Sequence, residues 1–176
     1  MVDVSSERRR GDADSRGPFA AGKDRLRKAA VFDLDGTLAD ISLLPVMHPG
    51  EPRLKDFESR PDSHRLVRAH DWVIELAAQQ RRAQIAVIVL TSRRERWRER
   101  SREWLVMHGV PFDDLIMRAD TDNRSELEFK RTALAAIQQQ YEVVLAVDDN
   151  PTVIALWSGH GVSTRLVAGW RDRPML

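Results

Sequence analysis

Apolar runs of strand length alternate along the chain with stretches in which apolar residues recur at helical spacing. The runs suit strands that are buried on both faces, and polar residues follow most of them. Strands are predicted over residues 29–34, 85–90, 114–117, 143–147 and 163–167, and helices over residues 66–77, 94–108, 125–140 and 151–159. This alternation predicts an α/β fold with a doubly wound, Rossmann-like parallel sheet of about five strands, whose ligands bind at the carboxyl ends of the strands.

The last two predicted helices carry recognisable start signals. Ser125 and Glu128 form the S-x-x-E pattern of a capping box. Asn150 is a preferred N-cap residue, and Pro151 follows it at the first helical position. Both signals predict where a helix begins.

Two segments lie outside this alternation. Residues 1–28 carry eight basic and five acidic side chains without apolar periodicity, which predicts a basic, disordered arm, either a flexible leader or a tail that attracts nucleic acid. Residues 41–62 contain four prolines and predict an irregular excursion above the sheet. The rest of the chain, residues 29–176, is expected to form a single domain.

The amino-acid composition excludes several classes of function for this chain. The 28 Lys and Arg residues nearly balance the 27 Asp and Glu residues, so bulk charge does not indicate a nucleic-acid-binding protein. The absence of cysteine excludes disulfides, thiolate metal sites and cysteine nucleophiles. No apolar run approaches the roughly 18 residues of a membrane span, and the N-terminus lacks the apolar core of a signal peptide. We therefore expect no membrane partner and a cytoplasmic location.

The first polar cluster, Asp33-Leu34-Asp35-Gly36-Thr37, follows the first predicted strand. Because side chains alternate along a strand, Asp33 and Asp35 are expected to point the same way. Two carboxylates a few Å apart repel each other unless a cation or a shared proton lies between them. Asp35 and Gly36 alone would also suit a turn, but two acids beside so apolar a run indicate a functional site.

Two further clusters supply candidates for phosphate binding. Thr91, Ser92 and Arg93 follow the second strand, at an expected strand-to-helix turn whose hydroxyls and amides can hold an anionic oxygen or cap the next helix. Lys130 falls within the buried stripe of its predicted helix, where its ammonium can meet a phosphate or snorkel to solvent. Glu126 lies one turn earlier and can pair with it.

The fourth cluster is Asp148-Asp149-Asn150, which follows the strand over residues 143–147. Asn150 accounts for an N-cap, but a cap does not explain two consecutive acids. Oxygen ligands from Asp33, Asp148 and Asp149, completed by water, suit Mg²⁺, which binds in proteins through a few carboxylates and substrate phosphate. The sequence therefore predicts Mg²⁺ as the cofactor.

The charged segment over residues 93–103 has two interpretations. It holds six arginines and three glutamates, with Trp97 inside it and Trp104 just beyond it. One interpretation is a solvated helix face whose tryptophans lie in the core. The other is a rim that contacts successive phosphates, with an aromatic ring available for base stacking.

The four polar clusters, in this order, resemble the motifs of the haloacid-dehalogenase superfamily of phosphohydrolases, over about residues 29–170. The resemblance implies a nucleophile at Asp33 and a general acid and base at Asp35. It also implies phosphate contacts from Thr91 and Lys130. For Mg²⁺ it implies four ligands: Asp33, the main-chain carbonyl of Asp35, Asp148 and Asp149.

Two stretches show a narrower similarity, LTSRRERWRERSREWLVMHGVPFDDLIMRADTDNRSELEFK and LAVDDNPTVIALWSGHGV. They resemble the 3′-phosphatase domain of phage-type polynucleotide kinase-phosphatases. That resemblance implies a substrate groove with contacts from Arg93, Asp122, Arg124 and Glu126. The spacing of the four clusters leaves little room for a cap domain, and an open, capless site suits the end of a polymer.

The expected activity is that of a Mg²⁺-dependent phosphomonoesterase that forms an aspartyl-phosphate and removes the 3′-phosphate from nucleic-acid ends. A phosphatase of small nucleotides or other small phosphate esters is the first alternative, and an inactive nucleic-acid-binding module is the second. No G-x-x-x-x-G-K-[ST] motif occurs in the sequence, so a kinase or ligase partner is expected to be a separate chain.

Overall fold

A computed structural model of the chain describes residues 26–41 and 67–168. The strands are β1 (Arg27–Phe32), β2 (Ala39–Asp40), β3 (Arg68–Ala69), β4 (Ala86–Arg94), β5 (Asp114–Arg118), β6 (Tyr141–Asp148) and β7 (Ser163–Leu166). The helices are α1 (Asp71–Arg82), α2 (Arg98–Met107), α3 (Glu126–Gln138) and α4 (Pro151–Gly159). One parallel sheet has the order β5-β4-β1-β6-β7. The predicted α/β class, with a doubly wound parallel sheet of about five strands, is confirmed.

Helices cover both faces of this sheet, as its continuous apolar strands require. Ala30 and Phe32 of β1 pack in a core with buried residues of α1 and α2. Ala29 and Val31, which point the other way, pack in a second core with α3 and α4. Alternate residues of one strand therefore belong to two different cores, and β1 is buried on both sides.

The strand order determines where the polar clusters meet. From β1 the chain adds β4 and β5 on one side of the sheet, and then returns to add β6 and β7 on the other side. Doubly wound sheets bind ligands where the strand order reverses. Phe32 pairs with Val147 across β1 and β6, so Asp33 and Asp148, the next residues, emerge side by side at this point.

The second polar cluster lies within a strand, and the expectation of a strand-to-helix turn at residues 91–93 is wrong. β4 continues to Arg94, and the pairing with β5 passes from Thr91 directly to Arg94, so that Ser92 and Arg93 fall outside the register. Such irregularities redirect side chains and are frequent beside active sites. Hydrophobic periodicity missed the extension because its residues are polar. α2 accordingly begins at Arg98 rather than at residue 94, after a 3₁₀ turn over Glu95–Trp97.

The first helix also begins later than predicted, at Asp71 rather than at residue 66. The residues just before it form β3, which pairs antiparallel with β2. His70 ties this small pair to the loop after β1, because its amide donates to the Leu38 carbonyl at 2.9 Å and its Nδ1 lies 2.7 Å from the Thr37 carbonyl oxygen. Within the described part of the chain, β2 and β3 are the strands outside the main sheet.

The predicted arm and proline-rich loop fall largely outside the described residues. Of residues 1–28, the structure describes Leu26, Arg27 and Lys28, and the last two already belong to β1. Of residues 41–62, it describes Ile41, which packs in the core on the α1 and α2 face. Across residues 26–41 and 67–168, no helix has both the length and the apolar character of a membrane span.

Local signals at the helix starts are confirmed. Ser125 and Glu128 form the capping box of α3, and Asn150 caps α4 ahead of Pro151. On α2, Trp104 is buried and its Nε1 donates to the Val67 carbonyl at 3.1 Å, which favours the solvated-face interpretation of the charged segment.

Candidate active site

The carboxyl ends of β1 and β6 bring acidic side chains around one lysine. Lys130, on α3, is fully buried, so its side chain does not snorkel to solvent. Its Nζ donates to Oδ1 of Asp33 at 2.8 Å and to Oδ2 of Asp148 at 2.7 Å. Glu126, one turn earlier on α3, places Oε1 3.1 Å from the same Nζ. Three carboxylates therefore surround one ammonium group.

Burial dominates the electrostatics of this cluster. It raises the pKa of Asp33 well above its ordinary value; Lys130 opposes this shift, while Asp148 and Asp149 add to it. Burial likewise raises the pKa of Asp148. For Lys130, burial lowers the pKa, but the surrounding carboxylates outweigh this effect and leave the pKa above its usual value. Lys130 is therefore a permanent cation that neutralises only part of the charge around it.

Three of the acids form a candidate metal site. Asp33, Asp148 and Asp149 are buried, and each offers a carboxylate oxygen within 4.8 Å of the other two. All of these donors are hard oxygens, which Mg²⁺ prefers. Because Lys130 supplies a single positive charge, a second cation would balance the charge of the ionised cluster. The donor set and its charge fit Mg²⁺.

Asn150 organises two members of the cluster. Its main-chain amide donates to Oδ1 of Asp148 at 2.9 Å, and its side-chain amide donates to Oε2 of Glu126 at 3.0 Å. The Asn150 side-chain oxygen accepts from the Thr152 amide and so caps α4. One residue thus fixes the start of a helix and the orientation of two carboxylates.

Gly36 allows the loop after β1 to approach the acidic cluster. Its φ is +87°, and a Cβ atom on it would overlap the Asp149 carboxylate and lie 2.7 Å from Cγ of Asp149. The Gly36 amide donates to the Ala39 carbonyl at 2.9 Å, which closes the loop. Glycine is therefore required here both by backbone conformation and by space.

We expect Gly36→Ala to destabilise the fold and to reduce activity. The positive φ costs about 1 to 2 kcal/mol for a residue with a Cβ, and the overlap with Asp149 adds about 1 to 3 kcal/mol. Gly109→Ala is the matched control, because Gly109 has φ +65° but nothing within 4 Å of an added Cβ. Urea unfolding should show a clearly larger loss for Gly36→Ala. Equal losses would contradict the close approach to Asp149.

Asp35 is held by Arg93. Nε of Arg93 donates to Oδ2 of Asp35 at 2.8 Å, and Nη2 donates to Oδ1 at 2.6 Å, which is a bidentate pair. Nη1 of Arg93 donates to Ser101 of α2 at 3.2 Å, so the guanidinium is anchored on both sides. The orientation of the Asp35 carboxylate is therefore fixed by Arg93 of β4, which is itself anchored on α2.

The two hydroxyls of the second cluster have different surroundings. Thr91 is buried, and its Oγ1 accepts from the Arg93 amide at 3.2 Å. Oγ of Ser92 accepts from Nη2 of Arg118 at 3.1 Å. Arg118 ends β5 and was not among the residues predicted from the sequence. Ser92 is therefore linked to β5, whereas Thr91 stays within its own strand.

Asp122 and Arg124 pair with each other in the loop after β5. Nη2 of Arg124 lies 2.6 Å from Oδ2 of Asp122, and this pairing lowers the pKa of Asp122. Nη1 of Arg94 donates to the main-chain carbonyls of Ala119, Asp120 and Asp122, at 3.1, 2.7 and 2.6 Å, and so holds the loop in place. The structure does not bring this pair into the Lys130 cluster.

A family model described as the polynucleotide kinase PNKP phosphatase domain matches residues 27–169. This range contains every strand and helix of the described residues. The chain belongs to the PNKP phosphatase family. It is a phosphohydrolase of the haloacid-dehalogenase type, as the order of its four polar clusters indicates.

Solved structures share the fold of this chain. A chain of the Pnkp1/Rnl/Hen1 complex has a TM-score of 0.66 and 26% identity, with 81% of this chain and 45% of that chain covered. A chain of the Pnkp1/Rnl/Hen1 RNA repair complex has a TM-score of 0.66 and 23% identity, with 88% and 47% covered. A haloacid-dehalogenase-like phosphatase from Mesorhizobium loti shares the fold, with a TM-score of 0.56, 18% identity, and 81% and 73% covered.

The chain spans less than half the length of the two complex chains that it matches. No curated protein matches its sequence. Membership of the PNKP phosphatase family thus comes from the family model, and the solved structures add the fold.

Sequence reasoning missed two residues at this site of the PNKP phosphatase fold. Asn150 was interpreted only as a cap, although its side chain also orients Glu126. Arg118 ends the short strand Asp114–Arg118, as Arg94 ends β4 and Asp148 ends β6, and so stands at the carboxyl edge of the sheet. A charged residue at the end of an apolar strand was the signal that could have found it.

Proposed function

We propose that this chain is a Mg²⁺-dependent phosphomonoesterase that forms an aspartyl-phosphate on Asp33 and removes the 3′-phosphate from nucleic-acid ends. One observation carries the proposal: three buried carboxylates converge where the strand order reverses, and Lys130 is hydrogen-bonded to two of the surrounding acids. Membership of the PNKP phosphatase family supports phosphate ester hydrolysis as the reaction.

The first step uses the oxygen of Asp33 that Lys130 leaves available. Lys130 donates to Oδ1, and no described residue donates a hydrogen bond to Oδ2. Oδ2 attacks phosphorus in line, the bond from phosphorus to the ester oxygen breaks, and that oxygen takes a proton from Asp35. An ionised carboxylate has about four lone-pair sites, so Asp35 can accept two hydrogen bonds from Arg93 and still bind a proton.

In the second step Asp35 removes a proton from water, the water oxygen attacks phosphorus, and phosphate leaves with Asp33 restored as a carboxylate. Lys130 and the hydroxyl of Thr91 stabilise negative charge on the phosphoryl oxygens. Asp33, Asp148, Asp149 and the main-chain carbonyl of Asp35 would hold Mg²⁺. When bound, Mg²⁺ supplies positive charge that neutralises and orients the phosphate.

Three observations support a nucleic-acid substrate. The matching family is that of the polynucleotide kinase PNKP phosphatase domain, and one similar chain comes from a complex described as an RNA repair complex. In this structure, Arg94, Arg118 and Arg124 cluster around the loop after β5, beside the carboxyl edge of the sheet. Guanidinium groups suit the phosphates of a strand.

A partner chain with kinase or ligase activity is part of this proposal. The similar chains belong to assemblies with Rnl and Hen1, and they are more than twice the length that this chain covers. A phosphatase that prepares a 3′ end leaves a hydroxyl, which an end-joining reaction then uses. Such a partner would act on the product of this site.

The deciding experiment compares phosphate release from three substrates: an oligonucleotide with a 3′-phosphate, the same oligonucleotide with a 5′-phosphate, and a 3′-mononucleotide. We expect kcat/KM to be at least about tenfold higher for the 3′-phosphate oligonucleotide, because only this substrate presents a 3′-terminal phosphate that is joined to further phosphates. DNA and RNA versions of each substrate identify the preferred sugar.

A chelator arm tests the metal in the same assay. Excess chelator should abolish release and added Mg²⁺ should restore it, whereas Ca²⁺ should restore little because its looser coordination misplaces the phosphate. Equal kcat/KM for all three substrates would favour a phosphatase of small phosphate esters. Full activity in excess chelator would contradict the proposed dependence on Mg²⁺.

A further inference from the structure

Arg118 is a buried guanidinium whose hydrogen-bond partners are all neutral. It is 9% exposed and ends β5. Nη1 donates to the Arg124 carbonyl at 2.7 Å, and Nη2 donates to Ser92 Oγ at 3.1 Å. Its Cζ lies 5.2 Å from the ring centroid of Phe129. Within residues 26–41 and 67–168, no carboxylate forms an ion pair with it.

The acids that influence Arg118 are engaged elsewhere. Asp122 forms its ion pair with Arg124, and Glu126 contacts Lys130 and Asn150. Burial lowers the pKa of Arg118; the two acids oppose this shift and Arg94 and Arg124 reinforce it. A buried charge without a paired counter-charge is costly, and proteins keep one where an anion binds.

Arg118 retains donors for such an anion. A guanidinium has five N–H groups, and the structure uses one on each terminal nitrogen. Nε lies buried, and no described residue accepts a hydrogen bond from it. Because Arg118 is only a donor, Ser92 must accept the bond between them, which leaves the single hydroxyl proton of Ser92 free to be donated. Arg118 and Ser92 together therefore present several unused donors.

The position of Arg118 indicates which phosphate it would bind. β5 lies two strands from β1 in the sheet order. Neighbouring strands are about 4.8 Å apart, so the backbone ends of β5 and β1 are separated by about 10 Å. The phosphate that Asp33 attacks must contact the end of β1. An anion held from β5 is therefore a second phosphate, offset sideways from the reaction centre.

We infer that Arg118 and Ser92 form a second phosphate subsite, which binds the internucleotide phosphodiester next to the 3′-terminal phosphate. The interruption of the β4 register places Ser92 outside the strand pairing, where it meets the side chain of Arg118. The inference rests on the proposed function, because only a polymer end carries the second phosphate. In this inference Arg118 and Ser92 select the substrate and take no part in the reaction steps.

The test uses two 3′-phosphorylated oligonucleotides that differ in one linkage. In the first, every linkage is a phosphodiester. In the second, the linkage nearest the 3′ end is a neutral methylphosphonate. For the wild-type protein we expect kcat/KM to be about tenfold higher with the charged linkage, since a hydrogen bond to a charged group is of this strength. For Arg118→Gln we expect the two values to be nearly equal.

The ratio within each variant removes any general effect on folding or turnover. Ser92→Ala should lower the ratio in part, and Arg118→Lys should keep part of it, so the subsite can be tested even if Arg118→Gln fails to fold. Arg82→Gln is the control, because Arg82 ends α1 ahead of β4, at the opposite edge of the sheet, and pairs with Glu75. It should keep the wild-type ratio. A methylphosphonate one linkage further away should not depend on Arg118.

Two failures can be told apart. If the wild-type protein releases phosphate from both oligonucleotides with equal kcat/KM, the subsite is wrong while the proposed function stands. The same holds if Arg118→Gln and Ser92→Ala keep the wild-type ratio. If the wild-type protein releases phosphate only from small esters, the proposed function and the subsite both fall.

Discussion

Asp33→Asn should abolish turnover while the protein remains folded. Asparagine keeps the size of the side chain but removes the attacking charge, and loss of a nucleophile costs an enzyme about 10⁴-fold or more in rate. Burial already raises the pKa of Asp33, so its ionised form is unfavourable in the folded protein. Removing that charge should therefore cost little stability. Phosphate release and urea unfolding, measured on the same sample, check both statements.

The pH dependence of stability tests the raised pKa of Asp33 independently of activity. Because the folded state binds the proton of Asp33 more tightly than the unfolded state, the metal-free protein should lose stability as pH rises through the raised pKa. Asp33→Asn should flatten this decline. Asp71→Asn, at an exposed position in the first turn of α1, is the control and should leave activity unchanged. Substantial phosphate release by Asp33→Asn would contradict the proposal that the reaction forms an aspartyl-phosphate on Asp33.

Lys130→Met should lose both stability and activity. The substitution leaves Asp33, Asp148 and Glu126 without the ammonium that they share. Removing one partner of a buried ion pair costs about 3 to 5 kcal/mol, because the remaining charge stays buried and uncompensated. Activity should fall at least about 100-fold, since a cation beside the phosphoryl oxygens is lost. Urea unfolding at neutral pH and phosphate release are the measurements.

Arg131→Met is the matched control for Lys130→Met, because it removes a cation from the next, exposed position of the same helix. It should unfold and turn over like the wild-type protein. Acidification should recover part of the stability of Lys130→Met, because protonation neutralises the abandoned carboxylates. A Lys130→Met variant as stable and active as Arg131→Met would remove Lys130 from the site.

The fold and the main acidic cluster could be predicted because they follow from apolar periodicity. Once the parallel sheet was inferred, Asp33 and Asp148 had to meet, since both follow strands that end at the same edge. The helical wheel also identified Lys130 as buried. It could not show which groups the Lys130 ammonium contacts, and so could not show why a lysine stands at a buried position. The catalytic roles of these residues stay predictions.

The remaining features depend on side-chain hydrogen bonds between distant segments. The extension of β4 through Ser92 and Arg93 has no apolar pattern, because polar contacts with Asp35, Ser101 and Arg118 occupy those residues. The late start of α1 depends on β3 pairing with β2, which no local spacing reveals. Pattern analysis sees which residues are buried, and it cannot see which polar partner each of them finds.

The hydrogen bond between Lys130 and Asp33 links two residues that are 97 positions apart in the sequence. The Asp33, Lys130 and Asp148 side chains are brought together by β1, α3 and β6, so a fragment that assembles all three must include residues 33–148. Closing a chain segment of this length is entropically costly, and contacts between residues so distant in the sequence slow folding. Binding of a ligand at the cluster therefore raises the free energy of unfolding of the whole sheet rather than the stability of a single helix. A ligand held there would protect the central strands β1 and β6 most, and the outer strand β5, two strands away from β1, least.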